Sequence, residues 1–215
     1  MSKDLSNYRK SYEKQELLES NCPKKPLDLF KQWFLTADES DSVEETNAMT
    51  ISTIGVDGFP KSRVVLLKKY TEEGFIFYTN YNSEKGKAIA ANNHICLSFF
   101  WPALEQQIII KGKAVLLPKE ASDGYFESRP AGSKLGAWAS NQSSVVSSRE
   151  ILDENLKAYE NKFKDRSIHR PKHWGGYLVK PISMEFWQGR PNRMHDRIRY
   201  TLMKDFSWKV ERLAP

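Results

Sequence analysis

Short apolar stretches of strand length recur along most of this chain, and they restrict it to a fold built around an antiparallel sheet. Each stretch is rich in β-branched and aromatic residues, and turn-forming residues separate it from the next. Asp57-Gly58 is a hairpin signal, and Gly112 is a candidate for a bulge. Strands of this number and spacing predict a small barrel. They occupy residues 48–54, 60–68, 74–79, 95–101, 106–117, 174–179, 183–188, 198–203 and 208–213.

Fewer segments have the periodicity of a helix. Pro26 stands at the start of an amphipathic stretch that includes Trp33 and Phe34, and Ser83 is a predicted N-cap. The chain is therefore expected to be mainly β, of the α+β type, with peripheral helices. Those helices are predicted near residues 27–34, 83–92, 119–128 and 148–163, with a break at Arg129-Pro130.

Length and composition favour one folded domain behind a polar N-terminal arm. With 215 residues, of which 40% are hydrophobic, the chain is long enough for a sizeable core. Residues 1–22 are rich in Lys, Glu, Ser and Tyr and show little apolar periodicity, so they are predicted to form a mobile arm or a short helix. Residues 23–215 are predicted to form the single domain.

The net charge of +6 favours an anionic partner without identifying it. Because the basic residues are scattered among acidic ones, a phosphorylated metabolite is favoured over nucleic acid. Cys22 and Cys96 lie far apart and lack metal-ligand spacing, which favours free thiols in a reducing cytoplasm and no metal site. The N-terminus shows no apolar signal region, and no stretch approaches the roughly 20 apolar residues of a membrane span. We therefore expect a cytoplasmic protein without a membrane partner.

The densest group of chemically versatile residues lies near the C-terminus. Residues 185–197 include Trp187, three arginines, His195 and Asp196. Arginine presents a planar fork of donors that matches phosphate, histidine exchanges a proton near neutral pH, and a tryptophan face can cover a planar ring. The combination predicts a site for a planar, phosphorylated small molecule.

The same segment resembles that of the pyridoxamine 5'-phosphate oxidases. The resemblance rests on Glu185-Phe186-Trp187-Gln188-Gly189, on the pattern Arg193-x-His195-Asp196-Arg197 and on the final Arg212-Leu213-Ala214-Pro215. Further blocks match at residues 63–68, 78–80, 128–130 and 136–138, so the resemblance extends from about Asn47 to Pro215. It implies an FMN-binding split β-barrel with peripheral helices, and a homodimer that binds FMN in clefts between its two subunits.

The resemblance also implies an enzyme of vitamin B6 metabolism. Similar proteins are FMN-dependent oxidoreductases that oxidise C4' of pyridoxamine or pyridoxine 5'-phosphate to the aldehyde, pyridoxal 5'-phosphate. Hydride passes to the flavin, and O2 then reoxidises the flavin and yields H2O2. Two alternatives are a barrel that binds flavin or pyridoxal phosphate without turnover and a basic nucleic-acid-binding barrel. The full set of substrate residues argues against the first, and the lack of an aromatic stripe along a basic groove argues against the second.

The flavin-binding set comes from this resemblance. Strand alternation would place Arg63 and Lys68 on opposite faces. The resemblance implies that Arg63 lies near the flavin phosphate and ring and that Lys68 reaches toward the substrate. From the residues alone, the favoured interpretation of Arg63 and Lys68 is that they are basic residues at the ends of a strand, without a ligand. For Gln107, a surface position without a ligand is nearly as well supported as contact with the flavin. The implied set is Arg63, Val64, Val65, Leu66, Leu67, Lys68, Tyr78, Thr79, Lys85, Gln107, Gln142, Ser143, Trp187 and Arg197.

The substrate-binding set is likewise implied by resemblance, with Arg193 and His195 as its catalytic pair. Four-residue spacing lets the side chains of Tyr125, Arg129 and Ser133 converge on one anion. The plainer alternative for Arg129 is a cation at a helix C-terminus, where the helix dipole favours it. Arg9 and Tyr12 lie in an N-terminal arm that matches the family only loosely, and the alternative for them is a disordered tail. The residues leave open whether the histidine acts as a base. The set is Lys68, Tyr125, Arg129, Ser133, Arg193, His195, Arg9 and Tyr12.

One position departs from the family pattern. Similar proteins have an Arg-Lys pair that binds the flavin phosphate, whereas this chain has Glu84-Lys85. A negative charge in place of a positive one beside a phosphate is expected to weaken flavin binding. Either Glu84 points to solvent or Lys87 substitutes for the missing cation, and the sequence does not decide between them.

Overall fold

The structure is a computed structural model that describes residues 2–215, so Met1 of the predicted arm lies outside the described residues. The described range confirms the mainly β class with peripheral helices. Among its residues, no helix combines the length and the apolar character that crossing a bilayer requires. The helices are α1 (Pro26–Asp38), α2 (Glu84–Ala91), α3 (Lys119–Ser128), α4 (Ala131–Ala139) and α5 (Arg149–Phe163), with 3-10 turns at Glu19–Asn21 and Pro191–Arg193. The strands are β1 (Ala48–Ile54), β2 (Pro60–Leu66), β3 (Lys69–Thr71), β4 (Gly74–Asn80), β5 (His94–Trp101), β6 (Gln106–Leu116), β7 (Trp174–Gln188), β8 (Asp196–Leu202) and β9 (Trp208–Arg212).

Within residues 2–215 the nine strands belong to one sheet. Its order is β2-β1-β5-β6-β7-β4-β3, with β8 beside β7 and β9 beside β8. β7 lies beside β6 in the sheet, and it also forms an antiparallel ladder with β4 from Trp174 to Val179 and another with β8 from Ser183 to Gln188. The last two strands form a further antiparallel pair. The long strand β7 therefore links the elements of the C-terminal segment to β4.

The continuous strand β7 corrects the prediction of two separate strands at residues 174–179 and 183–188. Pro181 lies between the two predicted segments and has no N–H to donate. It falls after the last residue paired with β4 and before the first residue paired with β8. Its missing N–H therefore removes no hydrogen bond from the ladders with β4 and β8.

Two short elements were not predicted, β3 and α4. β3 has three residues, which are too few for an alternating pattern, and α4 contains Gly132 and Gly136, which lower helix propensity. Gly112, the candidate bulge, lies in β6 where an added Cβ atom would come within 2.5 Å of the carbonyl oxygen of Lys180. The β7 backbone therefore leaves no room for a side chain at position 112, which explains why glycine occupies it.

The chain forms two compact units. The first contains residues up to 50, 97–111 and 181–215, and the second contains residues 51–96 and 112–180. In the first unit, α1 begins at Pro26 as predicted and buries Phe30 and Trp33. The ring centroids of Phe30 and Phe99 lie 5.4 Å apart, and those of Trp33 and Phe186 lie 5.3 Å apart, both pairs edge to face.

One buried carboxylate attaches the N-terminal segment to the first unit. Glu105 is 2% exposed and accepts hydrogen bonds from the backbone N–H groups of Glu13 at 2.8 Å and Lys14 at 3.0 Å. The side chain of Leu17 is buried, and its N–H donates to a carboxylate oxygen of Asp196 at 3.0 Å. These bonds hold residues 13–17 along the first unit.

In the second unit, Ser83 caps α2 as predicted. Its Oγ accepts a hydrogen bond from the N–H of Gly86 at 3.2 Å and donates one to the carbonyl of Asn80 at 2.6 Å. A Cβ atom at position 86 would lie 2.2 Å from the carbonyl oxygen of Tyr81. The cap and this close approach fix the first turn of α2, including Lys85, at the end of β4.

Replacing Gly86 by alanine is expected to destabilise the protein by about 1–3 kcal/mol, because the added methyl group must displace the backbone at Tyr81. Gly124→Ala is the matched control in α3, since no atom lies within 4 Å of its new Cβ. Higher helix propensity should make this control more stable by up to about 1 kcal/mol. Urea unfolding followed by circular dichroism measures both changes, and equal shifts in the two variants would contradict the close approach.

Candidate active site

A cavity of about 450 Å³, here called the β2–β4 cavity, lies in the second unit. Its volume is in the usual range for small-molecule sites. Residues predicted to bind flavin and residues predicted to bind substrate both line it, although they come from separate stretches of the chain. The lining consists of Arg63, Val64, Val65, Leu66, Lys68, Tyr78, Thr79, Lys85, Tyr125, Arg129 and Gln142, together with Asn80 and Trp174.

The shared cavity corrects the expectation that Arg63 and Lys68 occupy opposite faces of one strand. β2 ends at Leu66, so the alternation of side chains does not continue as far as Lys68. Both cations line the same cavity. Within the fully described stretch 63–68, Leu67 alone does not line it, and its side chain is 4% exposed.

A stack of aromatic rings forms one part of the lining. The rings of Tyr78 and Tyr125 lie 3.9 Å apart at 17°, and those of Tyr78 and Trp174 lie 5.5 Å apart at 10°. Burial raises the pKa of both phenols, so each keeps its O–H donor at neutral pH. The stack therefore offers flat apolar faces edged by hydroxyl donors, a surface suited to a planar ligand.

Arg129 continues this stack. Its guanidinium carbon lies 4.5 Å from the ring centre of Trp174, and its Nη1 atom is buried with no hydrogen-bond partner among the described residues. Burial lowers the pKa of Arg129, and Tyr125 opposes the shift. A buried N–H without a partner is unfavourable, so the geometry fits an anion that would accept from it.

Lys85 is the most deeply buried cation of the lining, at 8% exposure. No residue in the described part of the chain forms a hydrogen bond or an ion pair with its ammonium group. Burial lowers the pKa of Lys85, and the positive charge of Arg63 lowers it further. Arg63 is itself held by hydrogen bonds from Nη1 to Thr53 Oγ1 at 2.8 Å and to the carbonyl of Lys61 at 2.9 Å. A bound anion would stabilise both charges.

Two smaller cavities adjoin the β2–β4 cavity and contain two further predicted residues of the second unit, Ser133 and Ser143. One, of about 290 Å³, contains Ser133 and shares Arg129, Gln142 and Trp174 with the main cavity. The other, of about 350 Å³, contains Ser143. Here called the Lys61 cavity, it is lined by Lys61, Ser62, Arg63, Glu84, Lys85 and Ser143. Arg129 and Lys85 therefore each extend from the main cavity into a different neighbour.

The first unit has a cavity of its own, of about 600 Å³, here called the arm cavity. Ring contacts place Tyr12 5.7 Å from Trp187 and 5.8 Å from His195. Arg193 lies in the turn Pro191–Arg193 with a φ of 62°, so the turn, rather than a strand face, presents it. The lining is Tyr8, Arg9, Lys10, Ser11, Tyr12, Arg190, Asn192, Arg193 and His195.

A backbone hydrogen bond sets the tautomer of His195. The N–H of Arg190 donates to its Nδ1 at 3.1 Å, so the neutral ring carries its proton on Nε2. Burial lowers the pKa of His195, the charge of Arg193 lowers it further, and Asp196 opposes the shift. At neutral pH the imidazole is therefore uncharged and presents an Nε2–H donor.

Four predicted flavin residues line none of the cavities described above, and the buried Leu67 is one of them. Trp187 and Arg197 face each other across the β7–β8 ladder, and Trp187 lies 4.8 Å from His195. Arg197 donates to Glu185 and to the carbonyl of Ala214, each at 2.8 Å. Gln107 is half-buried on β6.

Some lining residues were not predicted: Trp174, Asn80, Lys61, Tyr8, Lys10 and Arg190. Arg190 belongs to the C-terminal arginine cluster, and that signal could have found it. Trp174 enters the site because β7 pairs with β4, which no local pattern indicates.

Comparison with known proteins identifies the family of this chain. Residues 35–162 match the family described as pyridoxamine 5'-phosphate oxidase, and residues 174–215 match the pyridoxine 5'-phosphate oxidase C-terminal dimerisation region. A pyridoxine/pyridoxamine 5'-phosphate oxidase of Flavobacterium psychrophilum is 66% identical over 99% of this chain and 100% of its own length. One of Christiangramia forsetii is 57% identical over the full length of both chains. This chain belongs to the pyridoxamine 5'-phosphate oxidase family.

Solved structures agree on the fold. PhzG from Burkholderia lata, determined in complex with tetrahydrophenazine-1-carboxylic acid, is 30% identical and superimposes with a TM-score of 0.85 over 93% of this chain and 98% of its own. A pyridoxamine 5'-phosphate oxidase-related FMN-binding protein from Nostoc punctiforme is 14% identical, with a TM-score of 0.70 over 90% of this chain and 100% of its own, and supports the fold alone. The predicted split β-barrel class is confirmed.

In this member of the oxidase family, Arg193→Ala is expected to raise the pKa of His195 toward its ordinary value. The substitution removes a neighbouring positive charge that disfavours the imidazolium, while burial keeps part of the depression. NMR titration of ¹³C-labelled histidine measures the change, and the resonance of His195 is identified by its absence in His195→Gln. Arg149→Ala, on exposed α5, is the control and should leave the pKa unchanged. A fall in the Arg193→Ala variant would rule out the assigned repulsion.

Proposed function

We propose that this protein is an FMN-dependent oxidase that converts pyridoxamine or pyridoxine 5'-phosphate to pyridoxal 5'-phosphate. O2 is the electron acceptor and H2O2 the second product, and the amine substrate additionally consumes water and releases ammonia. One observation carries the proposal: Lys85 and Arg129 line a single cavity, each lacks an anionic partner in the described chain, and each extends into a different adjoining cavity. That arrangement fits two phosphorylated molecules, a cofactor and a substrate.

The residues present fit FMN. The phosphate would be held by Arg63, by the ammonium of Lys85 and by Ser143, at the N-terminal turn of α2, where the helix dipole also favours an anion. The segment from Val64 to Leu66 would lie along the flavin. When bound, the flavin supplies the hydride acceptor that no side chain of the chain can provide.

The substrate phosphate is assigned to Arg129, Tyr125 and Ser133, with Lys68 as an additional cation. Arg129 supplies a buried, unpartnered N–H, and the stacked Tyr125 supplies a hydroxyl that burial keeps protonated. Charge-assisted hydrogen bonds from a planar guanidinium are the usual basis of phosphate recognition. The aromatic stack would meanwhile exclude water from one face of the pyridine ring.

Arg193 and His195 are the proposed catalytic pair and are assigned to the C4' end of a substrate molecule. With Nδ1 occupied by the N–H of Arg190, the neutral ring of His195 offers a proton at Nε2 rather than a lone pair. Its role in this tautomer is to donate a hydrogen bond that orients the reacting group, and not to act as a base. Arg9 and Tyr12, which share the arm cavity, would cover the ligand.

The proposal includes a homodimer with FMN at the subunit interface. The match of residues 174–215 to a dimerisation region supports it, as do exposed apolar side chains in the second unit. Phe59 is 70% exposed and Val64 is 66% exposed, so both apolar side chains are accessible to a partner subunit. Cys22 and Cys96 form no disulfide within the described residues, which is consistent with a cytoplasmic enzyme.

The decisive experiment measures FMN binding from the visible absorption of the purified protein, and then adds pyridoxamine 5'-phosphate under air. The aldehyde chromophore and H2O2 should form together in equal amounts, because two electrons pass from each substrate molecule to one O2. A protein that binds FMN but forms neither product would instead be a flavin-binding module. Failure to bind FMN would overturn the proposal as a whole.

Arg129→Ala is expected to raise KM for pyridoxine 5'-phosphate by about 10- to 100-fold, the loss of one charge-assisted hydrogen bond. FMN binding should be retained, since the flavin phosphate is assigned to Lys85. Arg149→Ala removes the same charge from the surface of α5 and serves as the control. Steady-state kinetics with both variants tests the assignment, and an unchanged KM in Arg129→Ala would exclude Arg129 from the phosphate site.

A further inference from the structure

An ion pair at the rim of the Lys61 cavity joins β2 to the first turn of α2. The Nζ of Lys61 lies 2.5 Å from a carboxylate oxygen of Glu84 and 3.1 Å from one of Asp57. Glu84 is the first residue of α2, directly before the buried Lys85. The Glu84 side chain is 51% exposed, in line with the first of the two alternatives, but it also pairs with a lysine on β2. Lys87 is exposed and lines none of the cavities described above.

The charges around this cavity require the Glu84 carboxylate to be restrained. Arg63, Lys85 and the N-terminus of α2 all attract an anion, and Lys85 has no partner in the described chain. A free carboxylate on the same helical turn would compete with a ligand phosphate for these groups and would repel it. Lys61 prevents this, because it offsets the charge of Glu84 and holds its carboxylate by a hydrogen bond.

The pKa shifts of Glu84 and Lys85 agree with this restraint of Glu84 by Lys61. The hydrogen bond from Lys61 is the main reason that the pKa of Glu84 is lowered, and Arg63 contributes less. For Lys85, burial and the repulsion from Arg63 outweigh the influence of Glu84, which is the smallest of the three effects. The Glu84 carboxylate thus interacts mainly with Lys61, and Lys85 remains available to bind a ligand.

We propose that Lys61 is a positioning residue for a phosphate-monoester subsite formed by Arg63, Lys85 and Ser143, and that it acts by holding and neutralising Glu84. The inference rests on the proposed function, in which the phosphate is that of FMN. Lys61 does not itself contact the phosphate, since its ammonium is already paired with two carboxylates. The Lys61–Glu84 ion pair depends on the acidic residue at the first position of α2.

The test is a double-mutant cycle on FMN affinity, measured by quenching of flavin fluorescence. The proteins are the unaltered chain, Lys61→Ala, Glu84→Gln and the double variant, and riboflavin, which lacks the phosphate, is titrated in parallel. Lys61→Ala should weaken FMN binding by about tenfold, because it leaves an unbalanced carboxylate beside the phosphate. Glu84→Gln should bind FMN as tightly as the unaltered chain or more tightly, and the double variant should return to within about threefold of it.

Two controls separate this effect from a change in fold or in net charge. Lys87→Ala removes a positive charge from the exposed face of α2 and should leave FMN affinity unchanged. Lys61→Met keeps the apolar stem of the side chain and should weaken FMN binding as much as Lys61→Ala does. Riboflavin affinity should stay the same in every variant.

Unchanged FMN affinity in Lys61→Ala would overturn the inference and leave the proposed function standing. A double variant as weak as Lys61→Ala would also overturn it, because Lys61 would then act on the phosphate directly. An equal loss of riboflavin binding would show a purely structural role. An unaltered protein that binds no FMN would instead overturn the proposed function, and the inference with it.

Discussion

The pairing of β4 with β7 is the interaction on which the rest of the candidate site depends. Its register sets Tyr78 opposite Gly176 and Asn80 opposite Trp174. A Cβ atom at position 176 would come 2.7 Å from the ring of Tyr78, so glycine allows that ring to lie across the neighbouring strand. A shift of one residue would move every side chain of β4 to the other face of the sheet and separate the aromatic stack from the cavity. The end of the same strand also leads directly to Ser83, whose cap positions Lys85.

The cavity assembled in this way is electrostatically unfavourable without a ligand. The Lys85 side chain is 8% exposed and the Nη1 of Arg129 is buried, and neither cation receives a partner from the described chain. Removing such groups from water opposes folding unless an opposite charge compensates. A phosphorylated ligand that binds only the folded state supplies that charge and adds its binding free energy to stability. Affinity and stability are thus coupled through the same two side chains.

Local features of the fold could be predicted because their causes are local. The start of α1 at Pro26 and the cap of α2 at Ser83 depend on residues within one helical turn. Errors arose where a pattern was extended beyond its element, as with Arg63 and Lys68, or where a distant strand set the outcome, as with Pro181. In each case the deciding contact joined residues far apart in sequence.

The sequence by itself determined the mainly β class, the family and most residues that line the two principal cavities, because these follow from strand periodicity and from motifs that can be compared block by block. Only the tertiary structure decided that Lys61 pairs with Glu84, that Arg129 lies on Trp174 and that His195 carries its proton on Nε2. These features depend on distances between side chains on different elements or on the conformation of a turn. Such distances are set by strand register and backbone dihedral angles, and neither is a property of a single residue.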